Sequence, residues 1–512
     1  TTPHHIARLI KQHTRCTQWV ARLKLQNKHK RNMTTKQTTA YNTLNTQAQI
    51  AILHNIDHDN EHEQQLCHCI TQQLTSPTVF FATTLQKHAK QYFDRYHQEV
   101  NVGKDATRNA KHAAAKLDHN LSKAHKQIRP KHTPPLLYTT TTIQEDNITK
   151  TKLVTKPDEV DKVVTQRWQQ IRKGKHSKVK HIIDNFNNKY RQHIYKRTPL
   201  QHTHITGEDI YNKCKHIKHT AGGLDGLLPE DFTAISLNSA HHLADILNLV
   251  EDGAPWPPDL NRARAAFLAK DPNDLEDCLK YRVLLILPSL YRIWGAVRLD
   301  NLSHWVDDWR CPEMFAGAGN CGAEDAWWYT AVQHELASLT NTDLTGGTAD
   351  VYKCFDQVLR ELLQDLLTQG GMPPQILEAY LKYMDTLLIH NSVANSLGTG
   401  YNIACGIPQG CPLSMMRIAY LLRPWILMMR TMNTTPRILA DDIMIHATGE
   451  NHEELFKQAF QATHNYIEDM GGLLAPSKST TFSNCRTTSA KLRQHVWNTT
   501  GTIIQVVVHA RD

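Results

Sequence analysis

The sequence predicts a mixed α/β (α+β) fold, and three stretches carry that expectation. Ile438-Leu439-Ala440-Asp441-Asp442-Ile443-Met444-Ile445 sets two adjacent carboxylates between apolar runs, the pattern of two short strands meeting in a tight turn. Upstream, the Thr/Gly-rich approach Thr345-Gly346-Gly347-Thr348 leads into Ala349-Asp350-Val351-Tyr352-Lys353-Cys354-Phe355-Asp356, a second run that delivers a carboxylate. Between them, Cys405-Gly406-Ile407-Pro408-Gln409-Gly410-Cys411-Pro412 is a loop, and Pro412 suits the first turn of a helix reaching Met429, with a kink at Pro424.

A hydrophilic Asp-Asp turn would account for Asp441 and Asp442 taken alone. The second carboxylate run changes the balance. Phosphoryl transfer to a sugar hydroxyl uses two divalent cations roughly 4 Å apart, and carboxylates on adjacent strands can bridge such a pair. Mg²⁺ prefers hard oxygen ligands and fills its shell with water and phosphate, so Asp without His or Cys is the donor set it takes.

In chain order, the charge is strongly divided. Residues 1–200 hold 34 Lys and Arg against 14 Asp and Glu, a net of +20, and residues 201–512 hold 24 against 35, a net of −11. A basic arm joined to an acidic, cation-binding body suits a polyphosphate substrate, although a solvated helical face gives the same composition. Cys67-His68-Cys69 leaves one residue between the cysteines, too few for the usual zinc spacing. Val102 to Lys131 reads as an Ala/Lys/His-rich helix stopped by Pro130, Pro134 and Pro135, and Thr139 to Thr151 as a linker. Residues 157–197 read as an amphipathic helix followed by a basic patch that includes Arg172, Lys173, Lys175, Lys178 and Lys180. Gly222-Gly223-Leu224-Asp225-Gly226 is a turn, after which Pro229-Glu230 opens a helix. Lys270 ends one strand and Arg282 begins the returning segment, which puts two cations on one side of a hairpin.

The 512 residues allow two to four domains, and the 11 cysteines, without CxxC pairs, suit reduced thiols. With no apolar run of about 18 residues and no signal peptide, the chain reads as soluble and intracellular, with no membrane partner. Thr1 and Asp512 read as the ends of an excerpt from a longer reading frame.

The order ADVYKCFDQV, GIPQGCPLSMM, LADDIMI resembles motifs A, B and C of the reverse transcriptases, most closely those of non-LTR retrotransposons. The resemblance implies right-hand fingers and palm, preceded by a basic, mainly helical extension: 1–150 extension and linker, 151–345 pre-fingers helix and fingers, 346–512 palm. It implies an RNA template, a DNA primer and dNTPs as partners and two Mg²⁺ ions, replaceable by Mn²⁺, held by Asp350, Asp441, Asp442 and the Val351 carbonyl. Lys270 and Arg282 then clamp the triphosphate, although Arg-Val-Leu stands here for the usual Arg-Pro-Ile. Phe355 packs under the sugar against a 2′-hydroxyl. Gln409 with the Gly406 and Gly410 backbone forms the floor under the nascent base pair, and Lys478 in LLAPSKSTT, similar to motif D, serves the leaving pyrophosphate. FAGAGNCGAED (Phe315 to Asp325) is similar to a family segment whose two arginines are here Ala318 and Cys321, and Thr502 to Asp512 has the alternation of a strand entering the primer-grip hairpin. The resemblance also suggests action in the nucleus. An RNA-dependent RNA polymerase and a catalytically silent RNA-binding scaffold are the alternatives. The first generally has Gly before its Asp pair and lacks the aromatic gate; the second tends to lose the carboxylates that stand here.

Overall fold

The computed structural model describes residues 135–507 apart from 146–147, 219, 272–273, 318–320 and 395. The chain divides into two units, 1–131 and 132–512, and the described residues all belong to the second. The basic arm, the Cys67–Cys69 cluster and the helix expected over 102–131 lie outside the described residues.

Thr139–Glu145 (β1) and Ile148–Val154 (β2) pair antiparallel, with Thr139 opposite Val154. This corrects the expectation of a linker, and the boundary expected at 150 falls inside β2. β-Branched threonine is stiff at χ1 and favours extended backbone. The run is also anchored, since Thr139 is buried and the Thr140 amide donates to the Glu276 carbonyl at 2.8 Å.

Helix α1 (Pro157–Lys173) has Pro157 at its start, Asp158 and Glu159 in its first turn and Arg172 and Lys173 in its last, the charge order that its dipole favours. After α2 (Val179–Tyr190), a reciprocal Thr206/Asp209 cap opens α3 (Gly207–Lys215), which packs on α4 (Leu237–Glu251). The helix expected after Pro229 is a six-residue 3₁₀ segment, Pro229–Ala234. The chain continues through β3 (Arg262–Ala269), β4 (Tyr281–Ile286), α5 (Ser289–Asn301), α6 (Ser303–Trp309) and α7 (Ala323–Leu339). It then runs through β5 (Leu344–Asp350), α8 (Cys354–Gln357), α9 (Arg360–Gln369), α10 (Pro374–Thr386), β6 (Leu388–Val393) and β7 (Ser396–Leu397). Next come α11 (Ser414–Thr431), β8 (Thr435–Leu439), β9 (Asp442–Thr448) and α12 (His452–Asp469). The described part closes with β10 (Thr480–Ser483), α13 (Arg486–Leu492), β11 (Val496–Trp497), β12 (Thr502–Ile503) and β13 (Gln505–Val506).

Helix α11 starts at Ser414, two residues later than the sequence suggested. Pro412 instead belongs to the preceding turn, in which the Cys411 amide donates to the Pro408 carbonyl and the Ser414 amide to the Cys411 carbonyl, each at 3.1 Å. The expected strand from Thr502 is divided. Thr502–Ile503 pairs with Val496–Trp497, and Gln505–Val506 joins β10 in parallel; residues 508–512 lie outside the described part.

Two sheets position the site. The smaller has the order β4-β3-β6-β7 and the larger β13-β10-β5-β9-β8. In the larger, Asp350 stands opposite Asp442, Thr348 opposite Met444 and Gly346 opposite His446. Side chains alternate across a sheet, so these residues share one face. Ala349, Ile443, Ile445 and Ala447 are buried on the other, packed with Phe456 and Phe460 of α12 in the core. Gly347 lets that helix approach: a Cβ there would lie 2.9 Å from the Phe456 ring. Among the described residues, no helix is long and apolar enough to cross a membrane.

Candidate functional site

The face of the larger sheet opposite α12 ends in the three carboxylates. β8 ends at Leu439 and β9 begins at Asp442, so Ala440 and Asp441 form a two-residue turn, with Ala440 at φ +59°. Asp350 closes β5 directly across from Asp442. Its backbone is fixed on both sides: the amide donates to Ser479 Oγ at 3.1 Å, and the carbonyl accepts from the Ala475 amide at 2.8 Å. Two chain segments 91 positions apart are thereby brought to one point by β-sheet register.

Burial pushes the Asp441 carboxyl above the usual carboxylate range, and the neighbouring Asp442 and Asp350 push it further. Burial and Asp350 act likewise on Asp442. Three hard-oxygen donors that repel one another in a partly dry site fit divalent cations, because a cation replaces both the lost water and the repulsion.

The carboxylates open into a cleft of about 750 Å³ that also holds Lys270, Arg282 and Lys478. Lys478 Nζ lies 3.8 Å from Asp350 Oδ1. Lys270 follows β3 directly, and Arg282 lies in β4 opposite Leu268. Burial lowers the Lys270 pKa from its ordinary value, helped by the Lys478 and Arg282 charges. Cations that destabilise one another beside a carboxylate cluster suit a polyanion that touches both. A second cavity of about 700 Å³ shares Asp350, Asp442 and Lys478 and is flanked by Trp327, Thr330 and His334 of α7.

Phe355 in α8 is 7% exposed and lines the cleft behind Asp350. The loop 405–411 is bonded to this turn, with the Ile407 amide donating to the Phe355 carbonyl and the Gly406 amide to the Val358 carbonyl, both at 2.8 Å. Gln409 and Gly410 line the cleft; the Gln409 carbonyl accepts from the Leu285 amide at 3.1 Å, which lays the loop along β4. Gly406 does not line it. At φ +98° it sits one layer behind, where a Cβ would lie 2.9 Å from the Asp356 carbonyl oxygen. Val351 lines the cleft beside Asp350.

At Gly410, φ is +143° and a Cβ would stand 2.3 Å from the Leu285 carbonyl oxygen. Gly410→Ala is therefore expected to cost about 2–4 kcal/mol in urea unfolding, from strained backbone plus displacement of the β4 contact. Gly226, at φ +76° with open space around it, is the control: its Ala variant should lose about 1 kcal/mol. Equal losses at the two glycines would refute the close approach.

The cleft wall also includes Trp168, which sequence reading did not single out for the site, and Lys353. Lys353 adopts a left-handed φ of +48° and donates to the Leu279 carbonyl and, at 3.3 Å, to the Tyr281 carbonyl. Its ammonium lies 4.4 Å from the centre of the Trp168 ring, and burial, with Lys270 nearby, lowers its pKa to about 8. This ties the Asp350 turn to the β3–β4 hairpin. Arg172, read as part of a basic patch, is 2% exposed; its Nε donates to Asp356 Oδ1 at 3.0 Å and its Nη1 to the Tyr401 hydroxyl at 3.3 Å. Phe315 is placed beside β8, its amide donating to the Ile438 carbonyl at 3.0 Å, whereas Ala318 lies outside the described residues. Cys321 is exposed.

Residues 270–503 match the family model of the reverse transcriptase (RNA-dependent DNA polymerase) domain. No curated protein matches the chain at a significant level. The matched stretch takes in the three carboxylates, the cationic side chains of the cleft and the loop 405–411, whereas α1, with Trp168 and Arg172, precedes it. A domain of this family implies a nucleotidyltransferase acting on dNTPs with a nucleic acid template and primer.

Proposed function

We propose that the chain is an RNA-directed DNA polymerase of the non-LTR retrotransposon type, extending a primer 3′-hydroxyl by in-line attack on the α-phosphate of a dNTP. The observation that carries this reading is the convergence of Asp350, Asp441 and Asp442 in one cleft with Lys270, Arg282 and Lys478. Two Mg²⁺ ions would be held by Asp350 and Asp441, with Asp442 and the Val351 carbonyl in support, and would supply activation of the attacking oxygen and neutralisation of the leaving charge. Lys270 and Arg282 bind the triphosphate and orient its α-phosphate. Lys478 offers a proton to the departing pyrophosphate oxygen. Gln409 and Gly410 carry the new base pair, and the +20 of residues 1–200 attracts the nucleic acid backbone. In this reading, residues 151–345 hold the pre-fingers helix and fingers and residues 346–512 the palm.

Extension of oligo(dT) on poly(rA) by the purified chain, with Mg²⁺ or Mn²⁺, tests the reading. DNA synthesis dependent on dTTP is expected; product formed only from UTP would favour RNA synthesis, and no product in either metal would favour the silent scaffold. Phe355 makes a separate prediction. Phe355→Val removes ring volume beneath the sugar, so the preference for dTTP over UTP in kcat/KM should fall by about 10–100-fold. An unchanged ratio would assign Phe355 to core packing alone.

A further inference from the structure

At the end of β5 remote from Asp350, another group of side chains converges from three elements. Asp343 immediately precedes β5, His452 is the first residue of α12, and Cys485 caps α13. One ligand atom from each lies within 4.8 Å of the others. A strand of this length spans roughly 20 Å, so the group is separate from the catalytic carboxylates.

The hydrogen bonds around His452 fix its tautomer. Ser483 Oγ donates to the Leu344 carbonyl at 2.9 Å, so its proton is committed there. Thr345 Oγ1 therefore donates to Ser483 Oγ, also at 2.9 Å, and toward His452 it can only accept. His452 Nδ1, 2.6 Å from Thr345 Oγ1, is then the protonated nitrogen. In the neutral ring the lone pair of Nε2 points the other way, toward Asp343 Oδ2 at 3.6 Å. His452 is 4% exposed, so little water reaches the ring. Cys485 Sγ completes the group, 3.0 Å from Thr487 Oγ1, and its hydrogen bonds to Thr487 and Thr488 hold the thiol below its ordinary pKa. A carboxylate oxygen, an imidazole nitrogen and a thiol sulfur thus converge on one point.

We propose that Asp343, His452 and Cys485 form a Zn²⁺ site that clamps this corner of the five-stranded sheet. Sulfur, imidazole nitrogen and carboxylate oxygen in one set select a borderline-soft cation over Mg²⁺ or Ca²⁺. Zinc bonds of about 2.0–2.3 Å put tetrahedral ligand atoms about 3.3–3.7 Å apart, within reach of small rotamer adjustments here. The Thr345–Ser483 relay orients the imidazole in the way that outer partners of metal-bound histidines do. The ion joins the entry of β5, the start of α12 and the β10–α13 corner, three segments distant in sequence, and water fills the fourth position.

The test uses the full chain, stripped with a chelator and titrated with Co²⁺ as a spectroscopic substitute. The wild type should gain a thiolate-to-cobalt charge-transfer band, and Cys485→Ser should lose it. His452→Gln should weaken Co²⁺ binding by more than the roughly 10–100-fold that a lost outer partner costs. A Cys67→Ser/Cys69→Ser variant separates this site from the amino-terminal cysteines, and its band should persist. A band retained in Cys485→Ser, or lost in the Cys67/Cys69 variant instead, overturns the proposal. If Cys485→Ser does not fold, the wild type decides: Zn²⁺ should protect Cys485 from iodoacetamide, read on its peptide by mass spectrometry. Alkylation unaffected by Zn²⁺ would mean that a proton on Nε2, pairing His452 with Asp343, occupies the site instead.

Discussion

Asp441→Asn is expected to lower primer extension by roughly a thousandfold or more while leaving the protein folded. The size follows from several kcal/mol of lost transition-state stabilisation, at 1.36 kcal/mol per tenfold in rate. Asn keeps the volume and one oxygen of the side chain but removes the charge that holds a divalent cation. Stability should move in the opposite direction. Burial and two neighbouring carboxylates already destabilise the charged form of Asp441, so the neutral variant without added metal should melt at the wild-type temperature or above it. Circular-dichroism melts beside the extension assay separate the two effects. Wild-type extension by Asp441→Asn would end the catalytic assignment, whereas a collapsed melt would make the residue structural.

The second large effect is expected at Arg172, outside the stretch that matches the family model. Its guanidinium is buried against Asp356, whose side chain is 11% exposed and adjoins Phe355 in α8. Removing one partner of a buried ion pair leaves an uncompensated charge, so Arg172→Ala should cost about 3–5 kcal/mol in denaturant unfolding. The double variant with Asp356→Ala should lose less than the sum of the single losses, because the stranded charge disappears with its partner. A strictly additive cycle would show that the two groups do not interact. A loss below about 0.5 kcal/mol for Arg172→Ala, the range of ordinary surface changes, would mean that α1 is only loosely appended.

The difference between what was legible and what was not follows the range of the interactions. The Asp441–Asp442 hairpin could be read because two charges set between short apolar runs are local information. The Asp350 strand and the loop 405–411 could be read for the same reason, through Gly and Pro at positions where backbone conformation is restricted. The linker reading of Thr139–Thr151 failed because a polar Thr run suits both a loop and a strand, and the deciding contact is with Glu276, far along the chain. Arg172 was read only as part of a basic patch because nothing local shows that Asp356 closes over it. Gly406 and Gly410 read alike in sequence, yet the backbone behind each differs: Gly410 meets β4 at the cleft wall, and Gly406 meets the Asp356 carbonyl beneath it.

The sequence by itself determined which residues carry charge at the ends of strands, and therefore which chemistry the chain can offer. Only the tertiary structure decided that Asp350 faces Asp442, that Trp168 and Lys353 wall the cleft, and that Asp343, His452 and Cys485 meet. Period and turn chemistry act over a few residues, whereas strand register and helix packing set which distant side chains share a dielectric environment.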